Sequence, residues 1–266
     1  VDDEGNVVTP ATTLSRIETE YNYPVASDGK TTTRLEKFIN KTYNGNSTSA
    51  TVFDGISYEY DKQNRIIAEK TLTTSGGKTD KYSYQYDKLG QLVRFNDAVA
   101  NKSYTYSYDS NGNMLSKKEY NYTTGQLGTA LDTINYTYEN SWKDQLSEYD
   151  GEQIKYDAIG NPTKYLGATL EWEGRNLKSY EKGSKKLQFE YDENGMRYRT
   201  TVTNSGSVSY YDYVWDSNKL VSMVYTSGNT SQTAKYLYGS SDEVIGMVIT
   251  DSNNSISTYY YLRNAQ

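Results

Sequence analysis

The chain has 266 residues, 35% of them hydrophobic and 23% charged, with 28 Lys plus Arg against 34 Asp plus Glu for a net charge of −6. It has no His and no Cys, which excludes Ser-His-Asp triads, His general bases, thiolate zinc sites, disulfides and cysteine nucleophiles. A pI near 4.9 and the absence of any basic run argue against nucleic-acid binding, and no apolar stretch nears the roughly 18 residues a bilayer-spanning helix needs.

A mean hydropathy of −0.87 would on its own suggest disorder, but 30 Tyr against 4 Phe and 3 Trp do not fit an aromatic-poor disordered chain. Tyrosine combines a large apolar ring with a polar tip. It suits sheets that are packed yet wet on much of each face, so a thin-walled structure is expected. The acidic start of the chain, residues 1–7, has no signal-peptide pattern and reads as the second half of a repeat, Asp2 and Gly5 standing three apart. Ile17, Thr19, Tyr21 and Tyr23 alternate with polar residues and predict a strand. Ser27-Asp28-Gly29-Lys30 is a turn signal. Residues 34–42 are open between strand and short helix, the neighbouring strands favouring strand.

From residue 56 the pattern becomes regular. Tyr58-Glu59-Tyr60-Asp61 is followed at the third place by Asn64 and at the fifth by Ile66. Tyr82, Tyr84 and Tyr86 share one strand face, then come Asp87, Gly90 and Leu92; Tyr104, Tyr106, Tyr108, Asp109, Gly112 and Met114 repeat the arrangement. Asp can accept a bond from the N–H two residues on, and Gly or Asn at the third place permits a positive φ, so each copy predicts a strand, a tight turn and a return strand. Further copies are Tyr156-Asp157 with Gly160 and Tyr191-Asp192 with Gly195; Tyr138-Glu139 and Trp172-Glu173-Gly174 are variants. Counting the variants, the turn positions lie between 16 and 30 residues apart from 61 to 192, one hairpin per unit. Residues 208–266 continue as strands, ending on Tyr259-Tyr260-Tyr261-Leu262-Arg263. With three Pro and no long linker, one domain over 1–266 is expected, less regular over 1–55 and regular over 56–266.

The carboxylates Asp61, Asp87, Asp109, Asp157 and Asp192 all occupy the same turn position, which assigns them to turn capping rather than to a glycosidase-type pair. Calcium competes for Asp109-Ser110-Asn111-Gly112-Asn113, but an EF-hand loop needs Gly at its sixth place, where this chain has Met114. No metal or cofactor follows. Asn40-Lys41-Thr42, Asn121-Tyr122-Thr123 and Asn135-Tyr136-Thr137 match the glycosylation pattern at the frequency chance gives in a chain rich in Asn, Ser and Thr.

The recurring Tyr-Asp-x-x-Gly unit, with 160–165 (GNPTKY), 193–202 (ENGMRYRTTV), 236–248 (YLYGSSDEVIGMV) and 259–266 (YYYLRNAQ), resembles the YD-repeat or Rhs-repeat family. The resemblance implies an all-β, repetitive antiparallel hairpin ribbon spiralling into part of a hollow shell. It also implies a fragment of a larger secreted or cell-surface protein, with the adjacent repeats as partners and a C-terminal toxin or processed domain as the enclosed cargo. A similar shell belongs to the animal teneurins. The implied role is a non-enzymatic wall segment, with an adhesin or cell-wall glycan-binding module using exposed tyrosines as the alternative. Open sheet edges would let the fragment pair edge-to-edge with a second copy, which light scattering would detect.

Overall fold

A computed structural model describes residues 16–25, 32–45, 47–73, 76–139 and 141–261, in which every regular element is a β-strand. The turn signal at 27–30, the half-unit at 1–7 and the last residues from Leu262 lie outside the described residues. The strands form two antiparallel sheets of eleven, each in chain order. The first holds β1 (Arg16–Asn22), β2 (Lys37–Tyr43), β3 (Thr51–Tyr60), β4 (Ile66–Leu72), β5 (Lys78–Tyr86), β6 (Leu92–Asp97), β7 (Lys102–Tyr108), β8 (Met114–Asn121), β9 (Asp132–Tyr138), β10 (Leu146–Tyr149) and β11 (Glu152–Gln153). The second holds β12 (Lys155–Tyr156), β13 (Pro162–Tyr165), β14 (Ala168–Glu173), β15 (Asn176–Lys182), β16 (Lys185–Tyr191), β17 (Arg197–Asn204), β18 (Ser207–Asp216), β19 (Lys219–Ser227), β20 (Thr230–Tyr238), β21 (Val244–Asp251) and β22 (Ile256–Tyr260). Of the ambiguous stretch 34–42, residues from Lys37 on form β2, where Phe38 lies directly opposite Ile56 of β3 and is buried. The chain divides into two compact units, residues 1–134 and 135–263.

In the first unit Phe38, Ile56 and Tyr58 form a small core, with Leu35, Tyr60 and Ile66 packed against it. Polar groups are buried beside it. Asn40 accepts from the Thr19 hydroxyl at 2.7 Å and donates to Asp54, and Glu69 accepts from the Tyr84 hydroxyl at 2.8 Å. Burial of Asn40 also removes the first glycosylation pattern from solvent. The Tyr84, Phe95 and Tyr104 rings lie opposite one another across β5, β6 and β7 and stack at 5.3 and 5.9 Å, a cross-strand ladder. After β8 the chain folds back over the sheet: the Arg94 guanidinium donates to the carbonyls of Thr123 and Gly125, and Ser103 exchanges bonds with the Thr123 N–H and carbonyl.

The second unit is similarly thin. Ile154, Ala168, Phe189 and Ala234 are its buried apolar residues, and ring pairs recur at Tyr136–Tyr149 (5.3 Å) and Tyr211–Tyr225 (4.9 Å). The first and last strands, each at one edge of its sheet, differ in chemistry. β1 carries Arg16, Glu18 and Glu20, charges that oppose edge pairing, whereas every residue of β22 is exposed and none is charged. So small a core makes individual contacts count. Phe38→Ala should cost about 3 kcal/mol, the low end for a buried phenylalanine, read as a lower urea midpoint. The exposed Phe53 truncated to Ala serves as the comparison, and equal shifts for the two would contradict the core assignment.

Candidate functional site

The residues singled out from sequence converge on one recurring device, a turn and the aromatic before it. In the turns at Asp61, Asp87, Asp109, Asp157 and Asp192, the Asp N–H donates to the carbonyl four residues on, and the N–H three residues on donates back to the Asp carbonyl. Each Asp Oδ1 also accepts two backbone N–H groups. They are Gln63 and Arg65 for Asp61, Leu89 and Gln91 for Asp87, Asn111 and Asn113 for Asp109, Ile159 and Asn161 for Asp157, and Asn194 and Met196 for Asp192, all within 3.0 Å. Gly90, Gly112, Gly160 and Gly195 have φ between 77° and 92°, and Asn64 takes the same place at 64°. That conformation costs an L side chain energy, and Asn tolerates it best after Gly.

The second carboxylate oxygen is used too. Asp61 Oδ2 meets the Arg65 guanidinium at 2.7 Å through both Nε and Nη2, while Asp109 and Asp157 accept from the side-chain amides of Asn113 and Asn161. Desolvation pushes the carboxyls of Asp61 and Asp109 up, but these N–H bonds outweigh it and hold both below the usual carboxylate range. For Asp157 the bond from the Asn161 N–H leads, and the net direction is again downward. Oxygens so engaged act as turn caps.

The aromatic before each turn sits at a β-bulge, with the register shifting at Tyr60, Tyr86, Tyr108, Tyr156, Trp172, Tyr191, Trp215 and Tyr238. A bulge re-aims a side chain, and here it aims the polar tip at the preceding repeat. The hydroxyls of Tyr60, Tyr86, Tyr108, Tyr156, Tyr191 and Tyr238 donate to the carbonyls of Leu35, Ile66, Leu92, Leu146, Leu177 and Leu220, at 2.6 to 3.0 Å. Trp172 and Trp215 do the same with Nε1, to Pro162 and Arg197, at 2.7 Å. The acceptors lie at or near the head of a return strand. Each aromatic is therefore a clasp between one hairpin and its predecessor. Burial raises the hydroxyl pKa of Tyr60, Tyr86, Tyr108 and Tyr156. In the core it pushes Tyr58 up to about 12.

Sequence reading missed two turns of this kind. Asp251 caps a turn through Asn253 and Ser255 after a threonine, and Gly239 and Asp242 occupy the Asp and Gly places in exchanged order, with Asp242 at φ 63°. Other hairpins close on two-residue turns, and at Asp150-Gly151, Leu166-Gly167 and Ser205-Gly206 φ is positive at both positions. An open groove of about 510 Å³ in the first unit is lined by Asp61, Arg65, Ser83, Tyr84 and Asn96. Of the repeat aspartates only Asp61 reaches it, already paired with Arg65, so the acidic corners do not gather in a common cleft.

A ribbon of antiparallel hairpins, with recurring turns capped by Asp and aromatics clasped to the hairpin before, defines a β-repeat shell scaffold. The teneurin YD-shell family model matches residues 18–264, and the chain belongs to that family. It is 31% identical over 164 residues to the tRNA3(Ser)-specific nuclease WapA of Bacillus spizizenii, and 32% identical over 142 residues to the tRNA nuclease WapA of Bacillus subtilis. These matches take in 60% and 52% of this chain but 6% of either relative. Among solved structures the TcdB2-TccC3-TEV and TcdB2-TccC3-Cdc42 chains superpose with TM-scores of 0.66 and 0.65 at 18% identity. They cover 94% of this chain and 14% of their own length, and establish the all-β shell fold.

Removing only the clasp oxygen tests the device. Tyr86→Phe, Tyr108→Phe and Tyr191→Phe should each lower stability by about 1 kcal/mol, the net worth of one hydrogen bond. Tyr198→Phe, which loses a solvent-exposed bond to Glu190, should leave the urea midpoint in place. Clasp variants no worse than this control would refute the assignment. The pH response has two limbs. The lowered Asp61, Asp109 and Asp157 contribute stability above the unfolded carboxyl value of about 3.9, lost as pH falls through their folded values. The raised tyrosines contribute below about 10 and lose it as pH climbs past that value. Thermal midpoints should thus form a plateau between roughly pH 5 and 9 and fall on both sides; a midpoint rising at either end would contradict these signs.

Proposed function

We propose that residues 1–266 are one wall segment of a longer secreted or cell-surface protein, whose YD-repeat shell encloses a C-terminal toxin or processed domain. The adjacent repeats of the same protein are its direct partners, and the segment itself does no chemistry. The observation that carries this reading is the clasp: side chains that in an enzyme would be held free for substrate are here bonded to backbone, hairpin after hairpin. The turn aspartates are engaged as caps, and the chain has no His or Cys to supply another base or nucleophile. Similarity to stretches of proteins named as tRNA nucleases supports a toxin as the cargo class. The runner-up, an adhesive or glycan-binding module, would depend on the exposed rings of Tyr198, Tyr210, Tyr259 and Tyr260.

Limited proteolysis of the parent protein tests the proposal. The region C-terminal to the repeats should resist protease while residues 1–266 are intact. It should be digested when the segment is deleted or its clasps are removed together by Tyr86→Phe, Tyr108→Phe and Tyr191→Phe. Equal digestion in all forms, with the segment retained on cell-wall material, would favour the glycan reading instead.

A further inference from the structure

Three Asn-Gly pairs occur in the chain: Asn44-Gly45, Asn111-Gly112 and Asn194-Gly195. In such a pair the glycine main-chain nitrogen can attack the asparagine side-chain carbonyl carbon. A new C–N bond forms, the nitrogen's proton and the side-chain amide leave together as ammonia, and water then opens the cyclic imide to aspartate or isoaspartate. The attack needs a glycine N–H free to lose its proton and a backbone able to bring nitrogen and carbon into near-attack distance, about 3 to 3.5 Å. All three asparagines are exposed, so access of water does not distinguish them.

Hydrogen bonding does. The Gly112 N–H is donated to the Asp109 carbonyl at 3.2 Å and the Gly195 N–H to the Asp192 carbonyl at 3.0 Å. On either side of these nitrogens the chain is fixed by the same carboxylate. Asp109 Oδ1 takes the N–H of Asn111 at 2.8 Å and of Asn113 at 2.9 Å, and Asp192 Oδ1 takes those of Asn194 and Met196, both at 2.9 Å. The nucleophile is thus engaged and its residue tied at both neighbours. Asn44-Gly45 lies in the connection from β2 to β3, where the Asn44 carbonyl accepts from the Ser47 N–H at 3.1 Å. Among the described residues no aspartate caps that turn and nothing accepts the Gly45 N–H.

We infer that the repeat aspartate has a second task, shielding the Asn-Gly bond inside its own turn from imide formation, and that Asn44 is the chain's deamidation site. The product would place a new carboxylate, and for isoaspartate an extra backbone methylene, next to the buried Tyr43 at the end of β2.

Peptide mapping by mass spectrometry, after incubating the folded chain at mildly alkaline pH, reads the conversion of amide to acid at each site. Asn111 and Asn194 should react about tenfold or more slowly than Asn44, since they must wait for local opening of the turn. In concentrated urea the three rates should converge. Asp109→Ala should accelerate Asn111 while Asn194, the internal control for folding, stays slow. Asp109→Asn keeps an acceptor oxygen and should leave Asn111 protected. Equal rates at the three sites in the folded chain, or an Asn111 that reacts as fast in Asp109→Asn as in Asp109→Ala, would overturn the inference.

Discussion

The structure depends on a bond between a side-chain tip and a carbonyl of the previous hairpin. A hairpin ribbon has almost no interior: the core of the first unit is little more than Phe38, Ile56 and Tyr58. Burial of apolar area, the usual main source of stability, is therefore spread thin. Cohesion between neighbours must come from contacts each repeat makes with the one before it, the nearest-neighbour regime of repeat proteins. Tyr86 to Ile66, Tyr108 to Leu92 and Tyr191 to Leu177 supply it. The requirement explains the composition, because phenylalanine would fill the same space but leave the carbonyl without a donor. Where tyrosine is replaced, at 172 and 215, tryptophan stands in, the other aromatic with a hydrogen-bond donor.

Clasp and cap are coupled through adjacency. The bulge that turns the aromatic toward its acceptor sits immediately before the Asp, and the Asp immediately starts the turn. One residue therefore attaches the hairpin to its predecessor while the next reverses the chain. A single Asp oxygen accepts two backbone N–H groups, and at three turns the second oxygen takes the residue four places on, which varies among Arg65, Asn113 and Asn161. Arg65 extends the connection, lying over the Tyr86 ring at 4.5 Å and so touching the next repeat as well as its own turn.

Much of this was legible in the sequence. Alternating tyrosines at 82–86 and 104–108 predict β5 and β7, and Leu92 and Met114 begin β6 and β8 where the spacing places them. Asn64 at the glycine place, with φ 64°, follows from its tolerance of that conformation. What sequence could not reveal is the clasp, because its acceptor is a backbone atom and its reach in sequence varies with loop length. Tyr86 reaches back 20 residues, Tyr108 16, Tyr191 14 and Tyr156 only 10. No fixed spacing marks such a bond. The turns at 239 and 251 escaped for a related reason: the backbone conformation is kept while the residues that announce it elsewhere are exchanged or absent.

The same economy bears on what a wall of this kind can contact. A tyrosine-rich surface would ordinarily be adhesive, since each free hydroxyl can donate and each ring can stack. Here the rings next to the turns are half-buried and their hydroxyls already have acceptors, while Tyr84, Phe95 and Tyr104 stack on one another. At these positions the ladder and the clasp take up the rings and hydroxyls that would otherwise be free to bind whatever lies against them. An enclosing wall benefits from that property, because a cargo held by its lining could not be let go, whereas an adhesin would need the opposite, rings exposed and hydroxyls free. The distribution of partners among these tyrosines thus fits the proposed containment better than capture.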